Sequence, residues 1–172
     1  MIYLIGVEHI KSQWEYQDGS NRQFVSCFTD ILRRHIKELK VTVIGEELNH
    51  ECLEQQDVET STAQKIGEEF CVKHIFCEPS AQDRIKLGIL SKEEISEQLY
   101  KKELWQIPDD SPEQQIINEE HRKYFPKRER FWLDKIKNFQ EEIILFICGK
   151  SHVDSFGKLL EEHRFKVTIL SN

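Results

Sequence analysis

The segment that decides the predicted fold is Ile143-Ile144-Leu145-Phe146-Ile147-Cys148-Gly149-Lys150-Ser151-His152. Its uninterrupted apolar run is typical of a strand buried on both faces of a parallel sheet. A second copy of its G-x-x-H pattern stands near the other end of the chain, where Gly6-Val7-Glu8-His9 follows the run Ile2-Tyr3-Leu4-Ile5. Because each pattern follows a predicted strand, we expect His9 and His152 to meet at one edge of a sheet.

The rest of the chain repeats this alternation of apolar runs and longer segments with helical period. Such alternation is typical of β-α units around a largely parallel sheet. The predicted strands cover residues 2–5, 41–45, 73–77, 143–148 and 166–170. The predicted fold class is therefore α/β, with a small, largely parallel sheet of about five strands flanked by helices.

Several helix starts are marked by a serine three residues before a glutamine or glutamate, which is the spacing of a capping box. These serines are Ser20, Ser61, Ser91 and Ser111. Pro112 supports the last of them as a first-turn proline. Ser151, with Asp154 three residues later, predicts another helix cap and would put His152 in the first turn, where the helix dipole disfavours a cationic imidazole.

A chain of 172 residues with 38% hydrophobic content can bury one substantial core, so we expect a single domain over residues 1–172. Residues 91–142 are the most polar stretch, with predicted helices near 92–104, 112–123 and 127–140. We interpret this stretch as a helical insertion before the fourth strand.

Composition argues against several classes of protein. The net charge of −7 disfavours duplex nucleic acid as a partner, because phosphate binding depends on clustered Lys and Arg. The five cysteines are scattered and form no C-x-x-C pair, which favours reduced core thiols in a cytoplasmic protein. No apolar run approaches the roughly 20 residues that span a bilayer, and no basic region precedes the first one, so we expect neither a membrane helix nor a secretory signal.

The candidate site follows from the rule that ligands of open α/β sheets bind beyond the carboxyl ends of the strands. His9, Glu46, Glu78 and His152 all stand at or just after a predicted strand end. Two imidazoles with one or two carboxylates could bind Mn²⁺, Co²⁺, Zn²⁺ or Fe²⁺ and activate a bound water. Without a metal, a neutral histidine could act as a general base on water.

Each of these residues also has a structural interpretation. A single G-x-x-H is more often a strand-to-helix turn than a site, and only its duplication favours a site. Glu46 and Glu47 could be a solvated helix start, and Glu46 is preferred because it is closer to the strand. Glu78, before Pro79, could be a loop carboxylate.

Basic side chains outside these strand ends could bind a negatively charged group on a substrate or stabilise developing charge. The candidates are Arg84, Arg128 and Arg130. The last two belong to the patch 121–130, for which spacing alone favours a solvated helix junction over an anion-binding clamp.

Other motifs with known chemistry are incomplete or absent. Gly149-Lys150-Ser151 matches the end of a phosphate-binding loop, but Ile144 stands where that loop needs a glycine. The chain contains neither G-x-G-x-x-G after its first strand nor a G-x-S-x-G nucleophile elbow.

The order of four elements resembles the superfamily that includes TraB, Tiki, ChaN and erythromycin esterase. These elements are the two G-x-x-H patterns, the glutamate that ends Val43-Ile44-Gly45-Glu46, and the segment 128–136 before the second G-x-x-H strand. The resemblance implies an α/β core with a helical insertion and either metal-dependent peptide cleavage or ester hydrolysis. It matches His9 and His152 to the paired histidines, Glu46 to the strand-end glutamate, and Arg128 or Arg130 to the basic position.

The leading hypothesis is a small cytoplasmic hydrolase in which His9, Glu46 and His152 activate water, directly or through a divalent metal that Glu78 would also bind. Its substrate would be a small molecule or peptide, with an anionic group for the arginines. The alternative is a binding or regulatory module that uses the same pocket for a small anionic ligand or a protein partner. The sequence leaves the choice of metal, the substrate and the oligomeric state open.

Overall fold

A computed structural model describes residues 1–8, 13–16 and 19–170 and shows an α/β fold around one sheet. All strand pairs are parallel, and the strand order is β3-β2-β4-β1-β5. The strands are β1 (Ile2–Val7), β2 (Val43–Glu46), β3 (Lys73–Phe76), β4 (Ile144–Gly149) and β5 (Val167–Leu170). The predicted fold class and all five predicted strands are confirmed.

Helices cover both faces of the sheet. The α-helices are α1 (Arg22–Leu39), α2 (His50–Gln55), α3 (Thr62–Glu69), α4 (Ala81–Leu87), α5 (Lys92–Tyr100), α6 (Pro112–Arg122), α7 (Phe125–Ile136) and α8 (Val153–Glu162). Short 3-10 turns occupy Leu104–Gln106, Lys137–Phe139 and Lys150–His152. Among the described helices, none is both long and apolar enough to cross a membrane.

The central strand β4 explains why its sequence is apolar without alternation. All six of its residues are buried, because Phe146 packs against α7 and α8 while Leu145 and Ile147 pack against α1 and α3. Gly45 on β2 lies against this strand so closely that an added Cβ would stand 2.6 Å from the Phe146 ring. Burying one such large side chain contributes about 1.5–3 kcal/mol to folding, so the central strand stabilises both layers of the core.

The carboxyl ends of four neighbouring strands lie level at one edge of the sheet. Val7 of β1 pairs with Gly149 of β4, while Glu46 of β2 pairs with both Ile147 and Phe76. β1 and β4 both run further than predicted and include the glycine of their G-x-x-H pattern, because the pairing between them continues to that point. His9 lies two positions beyond β1 and outside the described residues.

Three of the predicted helix caps are confirmed. The hydroxyls of Ser61, Ser91 and Ser111 each accept a hydrogen bond from the backbone N–H three residues later. The prediction for Ser20 is wrong, because α1 begins at Arg22 with Asn21 at its N-cap position. Asn21 instead binds the preceding segment through the backbone of Trp14 and Tyr16.

The cap predicted at Ser151 is also wrong. The chain leaves β4 through the 3-10 turn Lys150–His152, so α8 begins at Val153 and His152 itself takes the N-cap position. This turn leaves Ser151 exposed and His152 buried. The extra turn therefore directs the imidazole towards the protein interior.

The region 91–142 contains two kinds of helix. α5, α6 and the turn between them enclose a small apolar cluster of their own, built on Ile95, Ile107 and Ile117. α7 instead packs on the sheet and contributes Trp132 and Ile136 to the main core. The polar segment thus places α7 directly over the carboxyl ends of the strands.

Candidate active site

Five charged or titratable side chains are buried together beside the carboxyl ends of β2, β3 and β4. We call them the charged cluster, and its members are Glu47, Glu78, Arg128, Glu129 and His152. Glu47 follows β2, Glu78 lies just after β3, and His152 ends the turn after β4. Each side chain is at most 8% exposed, so water screens these charges weakly.

Arg128 is the centre of the charged cluster. Its Nη2 donates to Glu47 and, at 2.9 Å, to Oε2 of Glu78, while its Nε lies 3.1 Å from Oε1 of Glu78. Its Nη1 lies 3.2 Å from Nε2 of His152. Burial alone would lower the pKa of Arg128, but the charges of Glu78 and Glu47 outweigh burial and raise it. Arg128 is therefore a permanent cation.

These contacts assign the protonation state of His152. A guanidinium has only donors, so Nε2 of His152 must accept the bond from Arg128, which leaves the proton on Nδ1. That Nδ1–H donates to Oε1 of Glu129 over 2.8 Å. Ser155 donates to the same oxygen over 2.6 Å. The imidazole is thus neutral and held in one tautomer by a buried carboxylate.

Glu47 reaches the charged cluster because the backbone holds it there. Its Oε2 accepts a 2.7 Å hydrogen bond from the backbone N–H of Gly149, and its Oε1 lies 3.6 Å from Nε2 of His152. Gly6 lets β1 lie close to the turn and helix that follow β4, since an added Cβ would stand 2.8 Å from Cγ2 of Val153 and 3.2 Å from the Cα of Lys150. Gly149 thus contacts the charged cluster directly, whereas Gly6 packs against the turn that carries His152.

Aromatic rings close the charged cluster from solvent. The Phe125 ring centroid lies 3.7 Å from that of His152, and the Trp132 ring lies 4.8 Å away on another side. Nε1 of Trp132 also donates to Glu78 over 3.1 Å. His152 is only 2% exposed, so a substrate can reach its imidazole only after neighbouring side chains move.

His121, on α6, lies at the outer side of Phe125, with 6.1 Å between the ring centroids. Burial, together with the positive charges of Arg128 and Lys92, lowers the pKa of His121 to about 4. His121 is therefore neutral near pH 7. His121 was not among the predicted site residues, and its nearness to Phe125 depends on the turn at 123–124 between α6 and α7.

Glu46 lies outside the charged cluster, contrary to the expectation that it would join His152. Side chains alternate along a strand, so Glu46 points to the α1 and α3 face of the sheet while Glu47 points to the α7 face. Oε2 of Glu46 accepts hydrogen bonds from Ser61 at 2.6 Å and from His74 at 3.0 Å. Gln13 lies 3.5 Å from Oε1. We call this group the Glu46 network.

The predicted arginines lie in three different environments. Arg128 is the centre of the charged cluster. Arg84 borders it, with Nη2 2.7 Å from Oε1 of Glu78 and a side chain that is 26% exposed. Arg130 points elsewhere on α7, is exposed, and lies 2.6 Å from Nε2 of His163. Two of the three predicted arginines therefore contact the charged cluster, and of these Arg128 contacts His152 directly.

The arrangement does not fit a divalent metal while Arg128 is in place. Carboxylate and imidazole donors suit Mn²⁺, Co²⁺ or Zn²⁺, but Glu47, Glu78 and His152 each direct an acceptor atom at the guanidinium. No group of three or more histidine, cysteine, aspartate or glutamate side chains within 1–8, 13–16 and 19–170 is arranged to hold a metal.

The buried cysteines have no catalytic character. Burial raises the pKa of Cys77 to about 12 and also raises the pKa of Cys148 well above its ordinary value. A thiol of this kind does not form the thiolate that nucleophilic catalysis needs. The prediction of core thiols is confirmed for these two, which pack in the main core, but it is wrong for Cys27 and Cys71, which are exposed.

No protein-family model matches this chain, and neither the curated proteins nor the solved structures include one that is significantly similar to it. The fold and the site define it as an α/β protein with a buried Glu-Arg-His cluster at the carboxyl ends of parallel strands. The resemblance to the TraB, Tiki, ChaN and erythromycin esterase superfamily stays a prediction from the motifs.

Proposed function

We propose that the protein is a small hydrolase in which His152 accepts a proton from a water molecule that attacks an ester or peptide-like bond. The observation that carries this proposal is the buried 2.8 Å contact between Nδ1 of His152 and Oε1 of Glu129. A buried carboxylate on one imidazole nitrogen leaves the other nitrogen as a base and stabilises the cation that forms.

The contacts of Arg128 suggest how charge is handled during the reaction. The water proton moves to Nε2 of His152 while the water oxygen bonds to the substrate carbonyl carbon. Nη1 of Arg128, released from Nε2, donates to the oxygen that becomes negative. His152 then returns its proton to the leaving oxygen or nitrogen as that bond breaks. Glu47 and Glu78 hold the guanidinium in position throughout.

The sequence motifs extend the proposal to a second histidine and to the class of substrate. His9 would be the second imidazole, since it follows β1, whose end pairs with the end of β4. The superfamily resemblance supports hydrolysis, and a metal would need Arg128 to move from its present place. A cytoplasmic location and a small-molecule or peptide substrate also belong to the proposal, on the strength of the scattered free cysteines and the acidic net charge.

The test is turnover of a panel of activated esters and chromogenic dipeptides by purified protein. His152→Ala should lower kcat about 10²- to 10⁴-fold, the usual contribution of a general base. His163→Ala is the matched control, because His163 lies at the far end of α8 and contacts Arg130. Thermal unfolding of both variants checks the fold. Turnover that His152→Ala leaves unchanged would contradict the proposal.

A second candidate function is a binding or regulatory module for a small anionic ligand. The specific observation in its favour is that Arg128 already occupies the lone pair of His152 beneath the Phe125 ring. This arrangement suits a site that binds without reacting. Saturable binding without turnover on any substrate of the panel would favour this candidate.

A further inference from the structure

A groove of about 520 Å³ opens beside the charged cluster, between α2, α4 and α5. Its volume lies within the range of small-molecule sites, about 300–1,000 Å³. We propose that this groove binds a small apolar zwitterion of the amino-acid class, with the ligand carboxylate on Arg84. The inference does not depend on hydrolysis, because it concerns binding alone.

Arg84 supplies the anion-binding donors. Only its Nη2 is used within the described part of the chain, in the 2.7 Å bond to Glu78. The other guanidinium nitrogens remain available in the wall of the groove, which Arg84 lines. A guanidinium binds a carboxylate strongly, and Nη2 of Arg84 has a second N–H besides the one that Glu78 accepts, so a ligand carboxylate can bind that N–H together with Nε or Nη1.

The apolar part of the groove is ready to cover a hydrocarbon side chain. Ile85 is 78% exposed although it is a large aliphatic residue, and it lines the groove together with Leu90 and Ile89. When a ligand covers exposed apolar area of this kind and removes it from water, the free energy of the complex is lowered. A branched aliphatic side chain of the ligand would contact these residues.

Two fixed carboxylates give the groove its selectivity for a positive group. Glu51 accepts a 2.8 Å hydrogen bond from the backbone N–H of Ala81, and Glu94 accepts one of 2.7 Å from that of Ser91. Each bond uses a single carboxylate oxygen. These charges attract a ligand ammonium and repel a second anionic group, so the mixed charges favour a zwitterion over a dicarboxylate or a phosphate.

Cys52 provides a local reporter, because it lines the groove and is half-buried. Alkylation of its thiol is followed by mass spectrometry, with the exposed Cys27 and Cys71 as internal controls. L-leucine at about ten times its Kd should slow alkylation of Cys52 about tenfold and leave the controls unchanged. Leucinamide, which lacks the carboxylate, and N-acetyl-leucine, which lacks the ammonium, should protect less.

Arg84→Met should abolish the protection by leucine, whereas Arg33→Met should retain it, because Arg33 is bound to Glu69 elsewhere on the surface. Ile85→Ser is a second variant at an exposed position and should weaken protection without affecting folding. Three results would each overturn the inference. Leucine does not protect Cys52, leucine protects Arg84→Met as well as the wild type, or leucinamide protects the wild type as well as leucine does. His152→Ala should keep the protection by leucine. The absence of ligand binding in the groove and the absence of hydrolysis at His152 are therefore distinguishable results.

Discussion

Glu46 and Glu47 are adjacent in the chain and both buried, yet they have different partners. Glu46 accepts hydrogen bonds from a hydroxyl and an imidazole on one face of the sheet. Glu47 binds the Arg128 guanidinium on the other face, beside two more carboxylates and His152. A carboxylate that local polar groups satisfy stabilises the fold, while a cluster that holds a cation and a base together is suited to chemistry.

The largest expected effect comes from removing the cation of the charged cluster. Arg128→Met leaves Glu47 and Glu78 buried without their counter-charge, so it should lower the free energy of unfolding by about 3–5 kcal/mol. Urea unfolding at pH 7 measures this loss. Arg130→Met, at an exposed position on the same helix, should cost about 0.5 kcal/mol or less. Equal losses in the two variants would remove the distinction between cluster and surface.

Variants of the Glu46 network should have a smaller effect on stability, and two serine N-caps provide a closely matched pair. Ser61→Ala removes both the N-cap of α3 and the hydrogen bond to Glu46, so it should cost about 2–3 kcal/mol. Ser111→Ala removes only the N-cap of α6 and should cost about 1 kcal/mol. Chemical denaturation of both variants gives the difference, which measures the bond to Glu46. Equal costs would mean that this bond adds nothing.

Acid should lower the stability of the fold because His121, beside the charged cluster, becomes protonated. Its pKa is lowered from 6.5 to about 4, so the unfolded chain takes the proton first as the pH falls. The stability that neutral His121 contributes is complete above pH 6.5 and is lost as the pH falls towards 4. His121→Phe should therefore reduce the loss over this window, by about 1 kcal/mol after allowance for solvent screening. Unfolding curves at several pH values test this, and identical pH dependence in the two proteins would contradict it.

The central strands were predictable because parallel strands buried on both faces must be apolar throughout, and β4 is the clearest case. The site was predictable only in part. His152, Glu78 and Arg128 were named, since strand ends and a basic helix start are local signals. The choice between Glu46 and Glu47 depends on which face each one points to, and a shift of one residue reverses that assignment.

Glu129 shows a different limit of sequence analysis. It stands among charged residues on a polar helix, where a solvated side chain is the ordinary interpretation. Its partners His152 and Ser155 lie 23 and 26 positions further along the chain. Only the packing of α7 on the sheet brings them together, so spacing along the chain carries no signal for this pair.

The most direct test of the central claim is the turnover of Glu46→Gln and Glu47→Gln side by side, on whichever substrate of the panel the wild type hydrolyses. Both changes keep the side-chain size and remove one charge. Because Glu47 positions Arg128 beside His152, its variant should lose about 10²-fold in kcat/KM, while the Glu46 variant should stay within about twofold of wild type. A loss in the Glu46 variant that equals or exceeds the loss in the Glu47 variant would contradict the account. It would mean that the active site includes Glu46, on the face of the sheet that α1 and α3 cover.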